Sequence, residues 1–388
     1  MWINGTIYQC MERKENYIVK VLYLTNVPAP YRVEFFEYLG KLCDLTVVYD
    51  VSEEELRDRD ERWFAKSFEN HIAIFVKQTD FLGMKVGFDI IKIIRNGKFD
   101  HIVVGIYSTP TAMLAIEYMR IFNIPYILSS DGGFIKDESR IAKMVKCHFI
   151  RGAKSYLSTG KNTDKYLAYY GADTNKIYRY ILTSVNNQDI INQPVSIEKK
   201  KKYRRECGIN EDYVFIMVGQ FIPRKGIDLL LKAYAQTKTS NTGLYIIGGK
   251  VTEEYLEIVR NLKIKNVHFR GFMSKEDLLK MYLCSDVFVM PTREDIWGLV
   301  VNEAFACGLP VITSTKCNAG NEMIINGYNG YIMDETDIDQ LSQYMDDMAS
   351  DYARTMQMSQ AAIQTIKKYS IENSAIDFHE RLIEIGGV

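Results

Sequence analysis

The sequence predicts an α/β protein made of two Rossmann-like, doubly wound domains that face a central cleft. Three observations lead there. Short apolar runs alternate with stretches of helical spacing, the same alternation restarts after a basic run near residue 200, and 388 residues are too many for one core. At roughly 150 residues per domain the length allows two or three domains.

In the first half, residues 17–24, 45–49, 101–106 and 125–128 read as buried strands rich in Val, Ile, Leu and Tyr. Residues 33–39, 88–95 and 111–122 lie between them with helical spacing. Such alternation implies parallel sheets with right-handed crossovers. The second half repeats it, with strands at 213–218, 243–247, 267–270, 287–290 and 310–312 and helices at 226–235, 253–262 and 275–284. This divides the chain into an extension (1–16), a first domain (17–190), a linker (191–210), a second domain (211–369) and a final amphipathic helix (370–388) with Ser370 as its N-cap. Met11 offers a second translation start. Two doubly wound sheets facing each other bind ligands at their carboxyl ends.

Composition excludes several classes. Apolar residues at 47% and charged residues at 25% suit a folded soluble protein, and a net charge of −1 argues against nucleic acid as a partner. Seven cysteines without a CxxC pair fit a reducing compartment, and neither a signal peptide nor an ~18-residue apolar span is visible, so the expectation is cytoplasmic. Charge is uneven, however. Residues 136–179 hold ten Lys/Arg against four Asp/Glu, and 199–205 hold six bases interrupted only by Tyr203. A solvated surface, and for the second run a linker, accounts for both. The alternative is attraction to anionic headgroups, at ~1 kcal/mol per base. Arg140, Lys143 and Lys146 beside Ile141, Met144 and Val145 fit a membrane-surface helix.

Two segments carry chemistry. In Val218-Gly219-Gln220-Phe221-Ile222-Pro223-Arg224-Lys225-Gly226, a strand ends in a glycine and two cations precede a helix. Cations and a helix N-terminus act together on an anion such as a diphosphate, although a basic loop before an ordinary helix has the same composition. In the second, Asp295 lies in the loop before a helix that starts at Gly298, and Glu303 follows inside that helix. A carboxylate offers two acceptors to the two hydroxyls of a ribose, and the helix start offers free N–H groups. A turn-forming acid and a surface helical acid are the plainer reading of these two positions.

These residues resemble the family-4 retaining glycosyltransferases of the GT-B fold over most of 20–369. The family signature is an acid, seven residues, a Glu and then Ala-x-Ala-Cys-Gly-Leu-Pro-Val, matched by Asp295, Glu303 and Ala304-Phe305-Ala306-Cys307-Gly308-Leu309-Pro310-Val311. The upstream Val-Gly-Arg, four residues, Lys-Gly maps onto Gly219, Gln220, Lys225 and Gly226, and Asn326-Gly327-Tyr328-Asn329-Gly330-Tyr331 is similar to the family's later loop.

The resemblance implies that Lys225 neutralises the donor diphosphate with Arg224 beside it, Glu303 holds the ribose and Asp295 touches the transferred sugar. It further implies that backbone N–H groups of Ile296, Trp297, Gly298 and Leu299 bind sugar and phosphate, and that Arg270 and Gly271 meet the base. Pro30, Tyr31 and Arg32 would form the acceptor-side loop, while Asp131, Gly132 and Gly133 face the reacting sugar. The final helix is expected to cross back to the first domain.

Three departures are visible: Gln220 replaces Arg, Asp295 is one methylene shorter than Glu, and no His lies near Asp131. The implied activity is retaining transfer from a UDP- or GDP-sugar to a glycan or lipid-linked acceptor in bacterial surface polysaccharide assembly. It uses no cofactor and no metal, since Asp58-Arg59-Asp60 sits in a charged helical run rather than a metal-binding pair. A nucleotide-sugar epimerase of the same fold and a weakly active subunit that scaffolds a partner transferase are the competing readings.

Overall fold

The computed structural model describes residues 18–51 and 68–387. The 1–16 extension, Tyr17 at the head of the first expected strand, and Asp58-Arg59-Asp60 lie outside them. The first domain runs β1 (Lys20–Thr25), α1 (Pro30–Leu39), β2 (Asp44–Tyr49), β3 (Ile72–Phe75), a hairpin of β4 (Thr79–Phe81) and β5 (Met84–Val86), and α2 (Asp89–Asn96). It continues with β6 (His101–Val104), α3 (Pro110–Ile121), β7 (Ile127–Ser130), α4 (Arg140–Arg151), β8 (Ser155–Ser158), α5 (Lys161–Tyr169) and β9 (Ile177–Arg179).

The second domain runs α6 (Ile197–Cys207), β10 (Tyr213–Val218), α7 (Ile227–Gln236), β11 (Thr242–Ile247), α8 (Glu253–Asn261), β12 (Val267–Arg270), α9 (Lys275–Cys284) and β13 (Val287–Met290). Then follow α10 (Leu299–Ala306), β14 (Val311–Ser314), α11 (Asn318–Met323), β15 (Gly330–Met333), α12 (Ile338–Ser350), α13 (Tyr352–Ile366) and α14 (Ile371–Gly386).

Each domain is wound on one parallel sheet, ordered β3-β2-β1-β6-β7-β8-β9 in the first and β12-β11-β10-β13-β14-β15 in the second. The central strands are apolar throughout because helices cover both faces: every residue of β10 is buried, and all of β1 beyond Lys20. Register places Leu22 opposite Thr46 and Ile102, and Phe215 opposite Leu244 and Val287. Winding reverses between β1 and β6 and again between β10 and β13. At those points the loops diverge and open a crevice at the carboxyl ends.

The basic run expected as a linker is instead helix α6, capped by Ser196 and docked on the second domain. Lys200 and Arg204, one turn apart, are buried, and both meet the buried Asp286. Lys200 Nζ lies 2.8 Å from Asp286 Oδ1 and donates to the Ser285 carbonyl at 2.7 Å. Such charges survive burial only when paired and hydrogen-bonded. The counter-charge lies 86 residues away in sequence, so local composition concealed it.

Strands β3, β8, β9 and β15, and the β4–β5 hairpin, were not evident as apolar runs. Ser155-Tyr156-Leu157-Ser158 is buried along its whole length while half of it is serine.

The last helix crosses back to the first domain. Ser370 caps α14 by accepting from the Asn373 N–H at 3.1 Å. Ile371, Ala375, Phe378, Leu382 and Ile385 then complete the core formed by α1, β1 and β2. Phe378 packs edge-on against Phe35 at 5.3 Å and Tyr180 at 5.0 Å. Full burial of side chains such as Phe378 and Leu382 contributes about 1.5–3 kcal/mol each.

Candidate active site

The two sequence motifs interlock at the carboxyl ends of β10 and β13. After β10 the chain turns at Gly219, whose N–H donates to the Ile247 carbonyl at 2.9 Å. A 3₁₀ turn over Pro223–Lys225 follows, then Gly226 at φ 73° and α7. A Cβ on Gly226 would lie 2.0 Å from the Pro291 carbonyl oxygen, so glycine is required both for its dihedral and for the closeness of the second loop. The Arg224 carbonyl accepts from the Arg293 N–H and the Thr292 hydroxyl, each at 2.8 Å.

The expected pair of cations splits into two environments. Lys225 is buried and its ammonium is ion-paired with Asp295, so the cation of one motif and the acid of the other meet directly. Arg224 is exposed, and its guanidinium donates to the Glu294 carbonyl at 3.1 Å, which leaves Lys225 as the enclosed charge. Gln220 is exposed beside it. Arg293, not singled out from sequence, holds Asp228 through two 2.7 Å contacts and fixes the loop to α7.

The loop from Asp295 to Gly298 is pinned from behind. Asp295 N–H donates to the Lys316 carbonyl at 2.9 Å and Ala319 N–H to the Trp297 carbonyl at 2.7 Å. The Trp297 side chain is buried and donates to Asn302 at 2.9 Å, so it anchors the loop and only its backbone is available to a ligand. Gly298, at φ 97°, sits where a Cβ would strike the Cys317 sulfur at 2.6 Å. Among the described residues, the N–H groups of Ile296, Trp297, Gly298 and Leu299 have no hydrogen-bond acceptor. They form the open N-terminus of α10, a site of positive potential.

Glu303 lies one turn into α10. Its carboxylate accepts from the Tyr282 hydroxyl at 3.1 Å and the Ser184 hydroxyl at 3.4 Å. Burial raises its pKa above the usual carboxyl value, while the two hydroxyl bonds and Lys275 pull it back. Ser184 and Tyr282 were missed by sequence reasoning, since neither has a distinguishing pattern around it. Arg270 closes β12, its carbonyl accepting from the Gly248 N–H at 3.1 Å; Gly271 follows, exposed, with no atom near its missing side chain.

Across the cleft, Pro30 opens α1 and brings Arg32 into the first domain's interior. Arg32 is ion-paired with Asp131, whose other oxygen accepts from Tyr180 at 3.0 Å. Burial works against the Arg32 charge, but Asp131 and the surrounding phenols outweigh it and hold its pKa well above the ordinary value. Tyr31 packs against the second domain's core, its ring 5.6 Å from the Arg32 guanidinium. Gly133 lies against the Tyr166 ring and Gly132 against the Ile296 carbonyl. The Asp131-Gly132-Gly133 and Asp295–Gly298 loops are therefore in contact, and Lys136 bridges the domains through a 2.6 Å ion pair with Glu294.

Residues 199–365 match the family model described as glycosyl transferases group 1. That segment, the second domain, belongs to the group 1 glycosyltransferases. An uncharacterised glycosyltransferase of Methanocaldococcus jannaschii is 26% identical over 298 residues, 72% of this chain and 73% of its own length. The N,N′-diacetylbacillosaminyl-diphospho-undecaprenol alpha-1,3-N-acetylgalactosaminyltransferase of Campylobacter jejuni is 21% identical over 318 residues, 78% of this chain and 83% of its own. Among solved structures, Anabaena Alr3699/HepE in complex with UDP superposes with a TM-score of 0.74 at 16% identity, covering 94% of this chain and 100% of that one. The fold is GT-B, as the two facing sheets and the crossover helix indicated. The matched segment is the domain that carries Lys225, Asp295, Gly298 and Glu303.

Proposed function

We propose that this group 1 glycosyltransferase moves a sugar from a UDP- or GDP-sugar to a glycan or lipid-linked acceptor, with retention of configuration and without a metal. The observation that carries this reading is the convergence of enclosed Lys225 with the unpartnered N–H groups at the start of α10. A leaving diphosphate gains charge as the glycosidic bond breaks, and a cation with fixed N–H donors stabilises that charge. The donor occupies the second domain, with its ribose on Glu303, its diphosphate on Lys225 and the N–H groups of Ile296 to Leu299, and its base beside Arg270 and Gly271. Asp295 turns from Lys225 toward the sugar hydroxyls, and the leaving phosphate oxygen takes the acceptor's proton. Asp131, held in place by its ion pair with Arg32, faces the sugar from the other side.

The acceptor side rests on α4. Ile141, Met144 and Val145 are exposed, at 71%, 68% and 43%. Lys146 is paired with Glu138 at 2.7 Å and Lys143 lies 3.8 Å from the Tyr169 ring centre, which leaves Arg140 as the cation most available to headgroups. A lipid-linked acceptor on the cytoplasmic membrane face suits such a surface, and the Campylobacter relative is named for an undecaprenol-linked substrate. No helix among the described residues is long and apolar enough to cross a membrane.

Incubation with UDP- and GDP-sugars tests the reading. Acceptor-dependent nucleotide release, unaffected by EDTA and giving product of unchanged anomeric configuration, is the expected result. Isomerisation with the nucleotide still attached would establish an epimerase, and absence of any nucleotide-sugar binding by calorimetry would leave a scaffolding subunit. Sedimentation with liposomes tests the acceptor surface: binding should need anionic lipid and fade with salt.

A further inference from the structure

Helix α5 of the first domain begins at Gly160-Lys161-Asn162, and no side chain of its own caps it. Its first N–H is satisfied from the other domain: Lys161 N–H donates to Glu322 Oε1 at 2.6 Å. Glu322 lies on α11, one turn beyond Asn318. Asn318 is buried and uses both ends of its amide. Its Nδ2 donates to the Ile296 carbonyl at 2.7 Å, and its Oδ1 accepts from Asn162 at 3.0 Å. So α11 touches the start of α5 through Glu322 and Asn318, and the donor loop through Asn318 and Ala319.

Two glycines make the approach possible. A Cβ on Gly160 would lie 2.7 Å from the Glu322 carboxylate, and one on Gly132 would lie 2.3 Å from the Ile296 oxygen and 3.0 Å from Asn318 Nδ2. At φ 168° the Gly160 backbone is extended, so only the neighbouring domain restricts its side chain.

We propose that Glu322 and Asn318 form an interdomain clasp, in which Glu322 caps α5 across the cleft and Asn318 carries the closed position of the first domain to the donor loop at Ile296. A helix start left uncapped loses a charge-assisted hydrogen bond and a favourable dipole contact, so opening the cleft has a cost set by Glu322. Asn318 and Glu322 are positioning residues, and their part in transfer rests on reading the cleft as the sugar-transfer site. Closure through them shields the bound donor from water.

The clasp is testable on the full chain without any ligand. Small-angle scattering should show a larger radius of gyration for Glu322→Ala and for Asn162→Ala than for the unsubstituted chain. Amide exchange over residues 159–164 should quicken about tenfold or more. Gly160→Ala should displace the Glu322 carboxylate from the Lys161 N–H and quicken the same exchange, and should add nothing in a Glu322→Ala background. Unchanged scattering and exchange in both Glu322→Ala and Asn162→Ala would overturn the proposal.

With whichever UDP- or GDP-sugar the unsubstituted chain turns over, Asn318→Ala should raise the ratio of donor hydrolysis to transfer. Equal loss of both reactions would reduce Asn318 to a structural role. If no nucleotide-sugar is turned over, the transfer reading fails while scattering and exchange still decide the clasp.

Discussion

Lys225 and Asp295, contributed by loops 70 residues apart, neutralise each other inside the cleft, with only 10% and 14% of their side chains exposed. On the proposed function, an arriving diphosphate would compete with a carboxylate for the cation.

Asp295→Asn should tighten binding of UDP or GDP by about three- to tenfold at low salt, because the competing anion is gone, while transfer falls. Lys225→Ala should slow transfer by at least ~10². It should also destabilise the domain by about 2–3 kcal/mol, short of the ~3–5 kcal/mol of a fully buried pair, because Asp295 is left unpaired. The double variant Lys225→Ala/Asp295→Asn should regain stability in urea but not rate. Calorimetry and denaturation separate the two effects; restored turnover in the double variant would remove Lys225 from the chemistry.

Glu303 presents two acceptor oxygens already oriented by Tyr282 and Ser184. If a ribose sits there, calorimetry should find 2′-deoxy-UDP bound about tenfold more weakly than UDP, and Glu303→Ala should lose that discrimination. Equal discrimination in the variant would place the ribose elsewhere.

The Lys200–Asp286–Arg204 knot should behave as a fully buried network. Asp286 also accepts from the Val214 N–H at 2.8 Å, so Asp286→Ala strands two cations and a backbone donor. A loss of about 3–5 kcal/mol in urea denaturation is expected. Replacement of all three side chains by apolar residues of similar volume should recover most of it.

Acid should destabilise the first domain before the second. Burial holds His71, His101 and His379 below the usual histidine value of 6.5, against the opposing pull of Glu37 on the first. The unfolded chain then binds more protons just below that value, so stability is present above pH 6.5 and is lost as pH falls through and below it. Hydrogen exchange at pH 7.5 and 5.5 should show deprotection concentrated in the first sheet. A uniform response would point away from the histidines.

Much of this was legible in the sequence where chemistry is local. Buried parallel strands announce themselves as apolar runs, and the spacing from Asp295 to Glu303 is maintained within one loop and one helix. Ser370 was recognisable as a cap because its partner is three residues away. What stayed hidden depends on distant partners. The six bases at 199–205 look like solvated surface until Asp286 supplies the counter-charge, and Gly160 looks like an ordinary helix start until Glu322 arrives from the other domain. Trp297 is the exception, a near partner missed: it stands in the loop before α10, and its ring is claimed by Asn302 of that helix.

Helix α14 also sets an order of assembly. The core under α1 and β1 lacks Ile371, Phe378 and Leu382 until that helix has left the ribosome, whereas the second domain's core draws only on residues synthesised before it, Leu182 and Val185 among them. The half of the chain that is synthesised first is therefore finished last, and it must wait, partly uncovered, while its neighbour folds.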